Sequence, residues 1–145
     1  MRQLVEDVAA FHRNIGYDDT HGRRLDAGII RRRLAFIDEE ARELHEAMSE
    51  AACVGESGEL APESVEAAHL VQELIDLTYV IAGTFLELGI DPEPAWQAVH
   101  AANMRKVASP GGGKAVKPAG WQAPLVPVEP LRLESEVVKQ GALTI

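Results

Sequence analysis

Cysteine occurs once in this sequence, at position 53. One thiol cannot close an intramolecular disulfide, and a chain of 145 residues does not need one to hold a core together. The expected setting is the reducing cytoplasm, with Cys53 a small core residue rather than a nucleophile. Aromatic residues are also scarce, at 5%, while Ala, Leu, Val and Ile abound and regularly spaced alternating runs are missing. That combination argues against a β-sandwich or barrel and for an all-α protein. Long apolar runs are lacking too. Glu6 and Asp7 interrupt the N-terminus, and "LIDLTYVIAGTFLELGI" is broken by Asp76 and Glu87, so neither an export signal nor a membrane span is expected. Finally, 14 Lys and Arg face 23 Asp and Glu, a formal net charge of -9. Such a surplus repels a phosphodiester backbone and an anionic bilayer, which removes nucleic acid and membrane as natural partners.

What is present reads as one helical domain over residues 1–127, including a Gly/Pro-rich arm at 108–127, followed by a tail at 128–145. Residues 2–14 form a short amphipathic helix with Leu4, Val5, Val8 and Phe11 on one side. From Asp26 to Cys53, Leu34, Ile37, Ala41, Leu44 and Met48 recur at three- and four-residue steps, the spacing of a packed bundle helix. After "VGESGELAPE", Pro62 suits the first turn of a third helix whose core stripe is Leu70, Leu74, Leu77, Ile81, Phe85 and Leu88. Gly89 is its stop, and Asp91 followed by Pro92 caps and opens a fourth helix reaching about Val107. Val71, Ile75, Thr78 and Ala82 widen the apolar surface of the third helix, as expected if it packs on its own bundle and on a partner subunit in a homodimer. The tail supports either a short strand or a loose end.

The densest chemistry is "IDEEARELHE" at 37–46, with Asp38, Glu39, Glu40, Glu43 and Glu46. On a helical projection Glu40 lies roughly 100° from the core stripe, on a flank, and Glu73 and Asp76 flank the stripe of the third helix with His69 and Val80 on the same side. A short connection makes the two helices antiparallel, so both acidic flanks can converge on one groove. A solvated acidic face is the plain alternative, and Arg42, four residues from both Asp38 and Glu46, offsets part of the charge. Against it stand like-charge pairs, Glu39 with Glu43 and Glu46 with Glu50, without a matching Lys stripe. Converging carboxylates without a Cys cluster suit Mg²⁺, with Mn²⁺ as a possible substitute, hard ions that take oxygen ligands and keep waters for a phosphorylated substrate. Asn103 and Lys106 share one face of the fourth helix with Val99 and can take phosphates, or Lys106 simply favours the helix dipole. Lys114 and Lys117 lie in the arm, which either closes over phosphates or is a solvated loop. Phe11, His12, Tyr17, Trp96 and Trp121 can stack on a base, but Trp96 is expected in the core and His12 partly exposed. Arg23, Arg24 and Arg31 to Arg33 are expected to be a solvated face or partners of the surplus acids.

The ordered set E-E-x-x-E at Glu39, Glu40 and Glu43, E-x-x-D at Glu73 and Asp76, N-x-x-K at Asn103 and Lys106, and "GKAVKPAGWQAP" resembles the MazG-like all-α nucleoside triphosphate pyrophosphohydrolases. At the level of subfamily it resembles the compact dimeric dUTP pyrophosphatases (dUTPases) among them. The resemblance covers about residues 30–125. It implies a four-to-five-helix bundle that dimerises, and Mg²⁺-dependent cleavage of dUTP between the α and β phosphates in nucleotide-pool cleansing. It makes Glu40, Glu43, Glu73 and Asp76 the metal ligands, with Glu39 as general base or supporting residue and Glu40 the competing base. Asn103, Lys106, Lys114 and Lys117 would be the substrate contacts. A phosphoribosyl-ATP or dCTP pyrophosphohydrolase would share the acidic motifs. Glu66 and His69 supply a single Glu-x-x-His, half of what a ferritin-like di-iron bundle wants. A non-catalytic helical dimer would use the apolar stripes alone.

Overall fold

The computed structural model describes residues 1–17, 25–55, 58–109 and 111–133. Arg23, Arg24 and most of the tail expected at 128–145 lie outside these. Among the described residues there are four α-helices: α1 (Arg2–Asn14), α2 (Ala27–Gly55), α3 (Val65–Leu88) and α4 (Pro92–Asn103). A two-stranded antiparallel ladder joins β1 (Ile90–Asp91) to β2 (Glu129–Pro130), Ile90 opposite Pro130 and Asp91 opposite Glu129. The class is all-α, as composition requires. None of the helices is long and apolar enough to cross a membrane, among the described residues.

Local chemistry sets the helix ends. Ser64, not the neighbourhood of Pro62, starts α3: its Oγ accepts the Ala67 N–H at 3.1 Å, satisfying one of the orphan donors of the first turn. Gly89 closes α3 at φ 67°, a left-handed conformation in which a Cβ would be strained, and its N–H reaches Leu86 and Phe85 carbonyls. Asp91 Oδ1 accepts the Glu93 N–H at 3.0 Å, with Pro92 next in the first turn of α4. α4 ends at Asn103, short of Val107. The Arg105 and Lys106 N–H groups turn to carbonyls three residues back, and Val107 bridges Val116 in extended pairing.

The chain divides into two compact units, Gln3–Gly89 and Met1–Arg2 with Ile90–Ile145. In the first, α2 and α3 pack antiparallel, and the charged flanks rather than the apolar stripes face each other. The expected α2 stripe is half outside, with Leu34 and Met48 each 54% exposed, while Ile29, Arg33, Ala47 and Ala51 are buried. On α3, Leu74 and Ile81 are exposed, whereas Glu73 and Glu87 are buried. Relative to the sequence reading, α2 is rotated by roughly 70° about its axis and α3 by roughly 100° or more. α1 meets this pair through Val8, whose Cγ1 lies 3.5 Å from where a Cβ of Gly83 would stand, and through an edge-on contact of Phe11 with Tyr79. His12, expected half-exposed, is buried beside Phe11 and Tyr17. Cys53, expected in the core, is exposed, because it lies on the outer side of the rotated α2.

At one end of the helix pair a guanidinium is enclosed. Arg33 donates through Nε to Thr84 Oγ1 at 3.0 Å, through Nη1 to Glu87 Oε1 at 3.1 Å and through Nη2 to the Val80 carbonyl, and it stands over the Phe36 ring. Arg32 takes the other Glu87 oxygen. Burial lowers the Arg33 pKa, against the pull of Glu87, whereas the exposed Arg32 is raised chiefly by its bond to Glu87. The basic run therefore does serve an acid, but one inside the helix pair.

Candidate functional site

Two turns along α2 from Arg33, three carboxylates converge. Single oxygens of Glu40, Glu73 and Asp76 all lie within 4.8 Å of one another. Glu73 is buried and the other two are half-buried. The Glu40 pKa is pushed above the ordinary carboxylate range, first by burial and then by repulsion from Glu43, Asp76, Glu39 and Glu73. Holding three such groups together without a counter-charge is unfavourable, and an all-oxygen donor set suits a hard divalent cation.

The structure thus brings together Glu40, Glu73 and Asp76 of the expected ligands. It does not draw Glu43 into that set. Glu43 Oε1 accepts from Arg42 Nη2 at 3.0 Å, while Arg42 Nη1 donates to Glu46 at 2.9 Å. One turn of helix past Glu40, Glu43 is close enough to repel it yet captured by the neighbouring arginine. Glu39 is exposed on the adjoining flank. His69 spans the helices, Nε2 3.3 Å from Glu73 Oε1 and Nδ1 3.5 Å from Glu50 Oε2. It sits beside the carboxylates, and Glu66 is not part of their set, so among the described residues the pattern of a di-iron bundle is not completed.

The second unit carries the other expected residues. Asn103 is the last residue of α4 and exposed; Lys106 follows the helix in a tight turn, so the two do not share a helical face as expected. Lys114 is exposed in the glycine turn, and Lys117 Nζ stands 4.5 Å over the Trp121 ring. Trp121 Nε1 donates to the Ala102 carbonyl at 3.3 Å, fixing the indole at the edge of a hollow of 250 Å³ lined by Arg105, Pro118, Ala119, Gly120, Trp121 and Gln122. Trp96 is not core: it is 51% exposed and lies parallel to His100. Sequence reasoning missed Arg105 and the Arg33 to Glu87 tie. Signals for both existed. Between Glu93 and Glu129 the chain has no acid but carries Arg105, Lys106, Lys114 and Lys117, and an acid such as Glu87 in an apolar helix run is rarely buried without a partner.

A family model, phosphoribosyl-ATP pyrophosphohydrolase, matches residues 8–103. The match runs from α1 to the end of α4 and includes all three converging carboxylates, while the arm lies beyond it. No curated protein matches the chain. With about two thirds of its length covered by that model, the chain belongs to the phosphoribosyl-ATP pyrophosphohydrolase family, hydrolases of phosphoric anhydrides built on the MazG-like all-α fold.

Proposed function

We propose that this protein is a divalent-metal-dependent pyrophosphohydrolase that cleaves the α–β anhydride of a nucleotide polyphosphate, giving a monophosphate and pyrophosphate. The observation that carries the reading is the meeting of Glu40 with Glu73 and Asp76 across two helices. These three would hold Mg²⁺, or Mn²⁺ in its place, with Glu43 the candidate fourth ligand once released from Arg42. When bound, the ion supplies charge neutralisation at the phosphates and a lowered pKa of the attacking water. Glu39 accepts the proton of that water as it adds to the α-phosphorus and the bond to the bridging oxygen breaks. Glu40 is the competing base.

Phosphoribosyl-ATP is the first candidate substrate, because the matched family is described by it. The arm "GKAVKPAGWQAP", with its resemblance to the compact dUTP pyrophosphatases, supports dUTP as a second reading. The acid-free stretch with Asn103, Arg105, Lys106, Lys114 and Lys117 offers the positive charge that the β and γ phosphates need. Homodimerisation is supported by apolar side chains left outside on α3, among them Val71 at 58% and Ile75 at 57% exposure. The test is a substrate panel of phosphoribosyl-ATP, dUTP, dCTP, dTTP and UTP, with Mg²⁺ or with chelator. Pyrophosphate release dependent on Mg²⁺ is expected, and inorganic phosphate as the product overturns the cleavage position. Sedimentation of the intact chain tests the dimer.

A further inference from the structure

We propose that Arg33 is a positioning residue: by tying α2 to α3 it fixes the register that brings Glu40 to Glu73 and Asp76. The proposal rests on the metal-site reading above for its consequence, but the register itself is independent of any ion.

The two contact sets lie on one ladder. Arg33 meets the Val80 carbonyl; Glu40 is seven residues further along α2, and Glu73 seven residues back along α3. Seven residues are two turns, about 10.5 Å of rise on each helix, so the antiparallel pair carries the guanidinium and the carboxylates in the same phase on the same face. A slip of one residue on either helix shifts it by about 1.5 Å and turns its side chains by about 100°. After such a slip Arg33 cannot satisfy Thr84, Glu87 and Val80, and Glu40 no longer points at Glu73.

The surroundings make this register discrete. Part of the expected apolar stripes does not contribute to a unique fit of α2 on α3, since Leu34, Met48, Leu74 and Ile81 are exposed. A planar guanidinium with three directional donors supplies what smooth packing does not. Gly83 leaves room for it: a Cβ there would lie 3.0 Å from Arg33 Nη2. Arg33 is only 6% exposed and Glu87 only 2%, so neither group has water as an alternative partner.

The test compares wild type, the double variant Arg33→Met/Glu87→Leu and Arg33→Lys, all in a Cys53→Ser background with spin labels on cysteines placed at Ala52 and Gln72, both exposed. Removing both charges together keeps the helix pair folded, because a buried ion pair replaced by apolar groups is often neutral in stability. Circular dichroism and the melting temperature establish that. The expected result is a folded double variant whose inter-label distance is shifted or broadened and whose Mn²⁺ affinity is weaker by about 10- to 100-fold, the range for a supporting residue around a metal. Arg33→Lys, with a compact ammonium in place of a planar fork, is expected to restore only part of either property. Val5→Ala, a core change in α1, is the stability control and should leave both readouts unmoved. An unchanged inter-label distance in the folded double variant overturns the proposal whatever happens to the metal. Glu40→Gln separates the two readings: Mn²⁺ binding that it does not weaken refutes the metal site, and the register claim is then decided by the distance alone.

Discussion

At one end of the α2/α3 pair the buried Glu87 is enclosed by Arg33 and Arg32; further along, Glu40, Glu73 and Asp76 face one another, with His69 Nε2 3.3 Å from Glu73 Oε1. Both ends are built from charged residues between the same two helices, yet among the described residues only the first is closed by arginines. A closed pair contributes to the uniqueness of the fold. An open acidic cluster of this kind is what the proposed divalent cation would neutralise. The contrast separates charge that the fold closes from charge that it leaves open more sharply than any count of acids.

Single changes at the two ends should therefore differ in sign. Arg33→Met strands Glu87 with one exposed partner and is expected to cost about 3–5 kcal/mol by urea titration, the range for breaking a buried pair; a loss below about 1 kcal/mol would mean that the closed end is not closed. Glu73→Gln should lower turnover by about 100-fold or more, about 2.7 kcal/mol in the barrier, while the metal-free protein melts no lower than wild type. A clear fall in metal-free stability would erase the distinction between the ends. Ser64→Ala, which removes a helix cap and nothing else, is expected to cost about 1 kcal/mol with unchanged Mn²⁺ affinity, measured by calorimetry.

The pH dependence sharpens the comparison further. Glu40 has a folded pKa above its unfolded value, so its contribution to stability is full below the ordinary carboxylate range and is lost as pH rises through the raised value. Metal-free melting temperatures should accordingly decline over that window, and Glu40→Gln should flatten the decline; an unchanged slope in the variant would show that Glu40 is not the strained group. Saturating Mg²⁺ should reverse the trend, since binding requires the deprotonated form. The smallest effect is expected from Arg42→Ala on the exposed side. Stability should stay within error, and Mn²⁺ affinity should rise modestly if Glu43 is thereby released to the site; a fall would assign Arg42 an unforeseen supporting role.

The candidate ligands were legible because chemistry is carried by residue type and helical spacing: Glu40, Glu73 and Asp76 on flanks, His69 one turn before Glu73. Glu43 was assigned with them by motif, and a local competitor, Arg42, is what the motif does not register. Trp96 and Cys53 were misplaced for a different reason. Apolar character was equated with burial, and exposure depends on which side of a helix the rest of the chain covers.

Sequence by itself determined that Gly89 ends one helix and Asp91 with Pro92 opens the next, since such caps act within a few residues through backbone hydrogen bonds and allowed φ, and it determined which helices carry the acidic residues. Only the tertiary structure decided which face of α2 meets which face of α3. Each helix carries two plausible faces, one apolar and one charged, and periodicity ranks them by hydrophobicity alone. The ranking is overturned when directional bonds such as those of Arg33 with Val80, Thr84 and Glu87 offset the cost of burying charge, a balance between residues about fifty positions apart that no local pattern records.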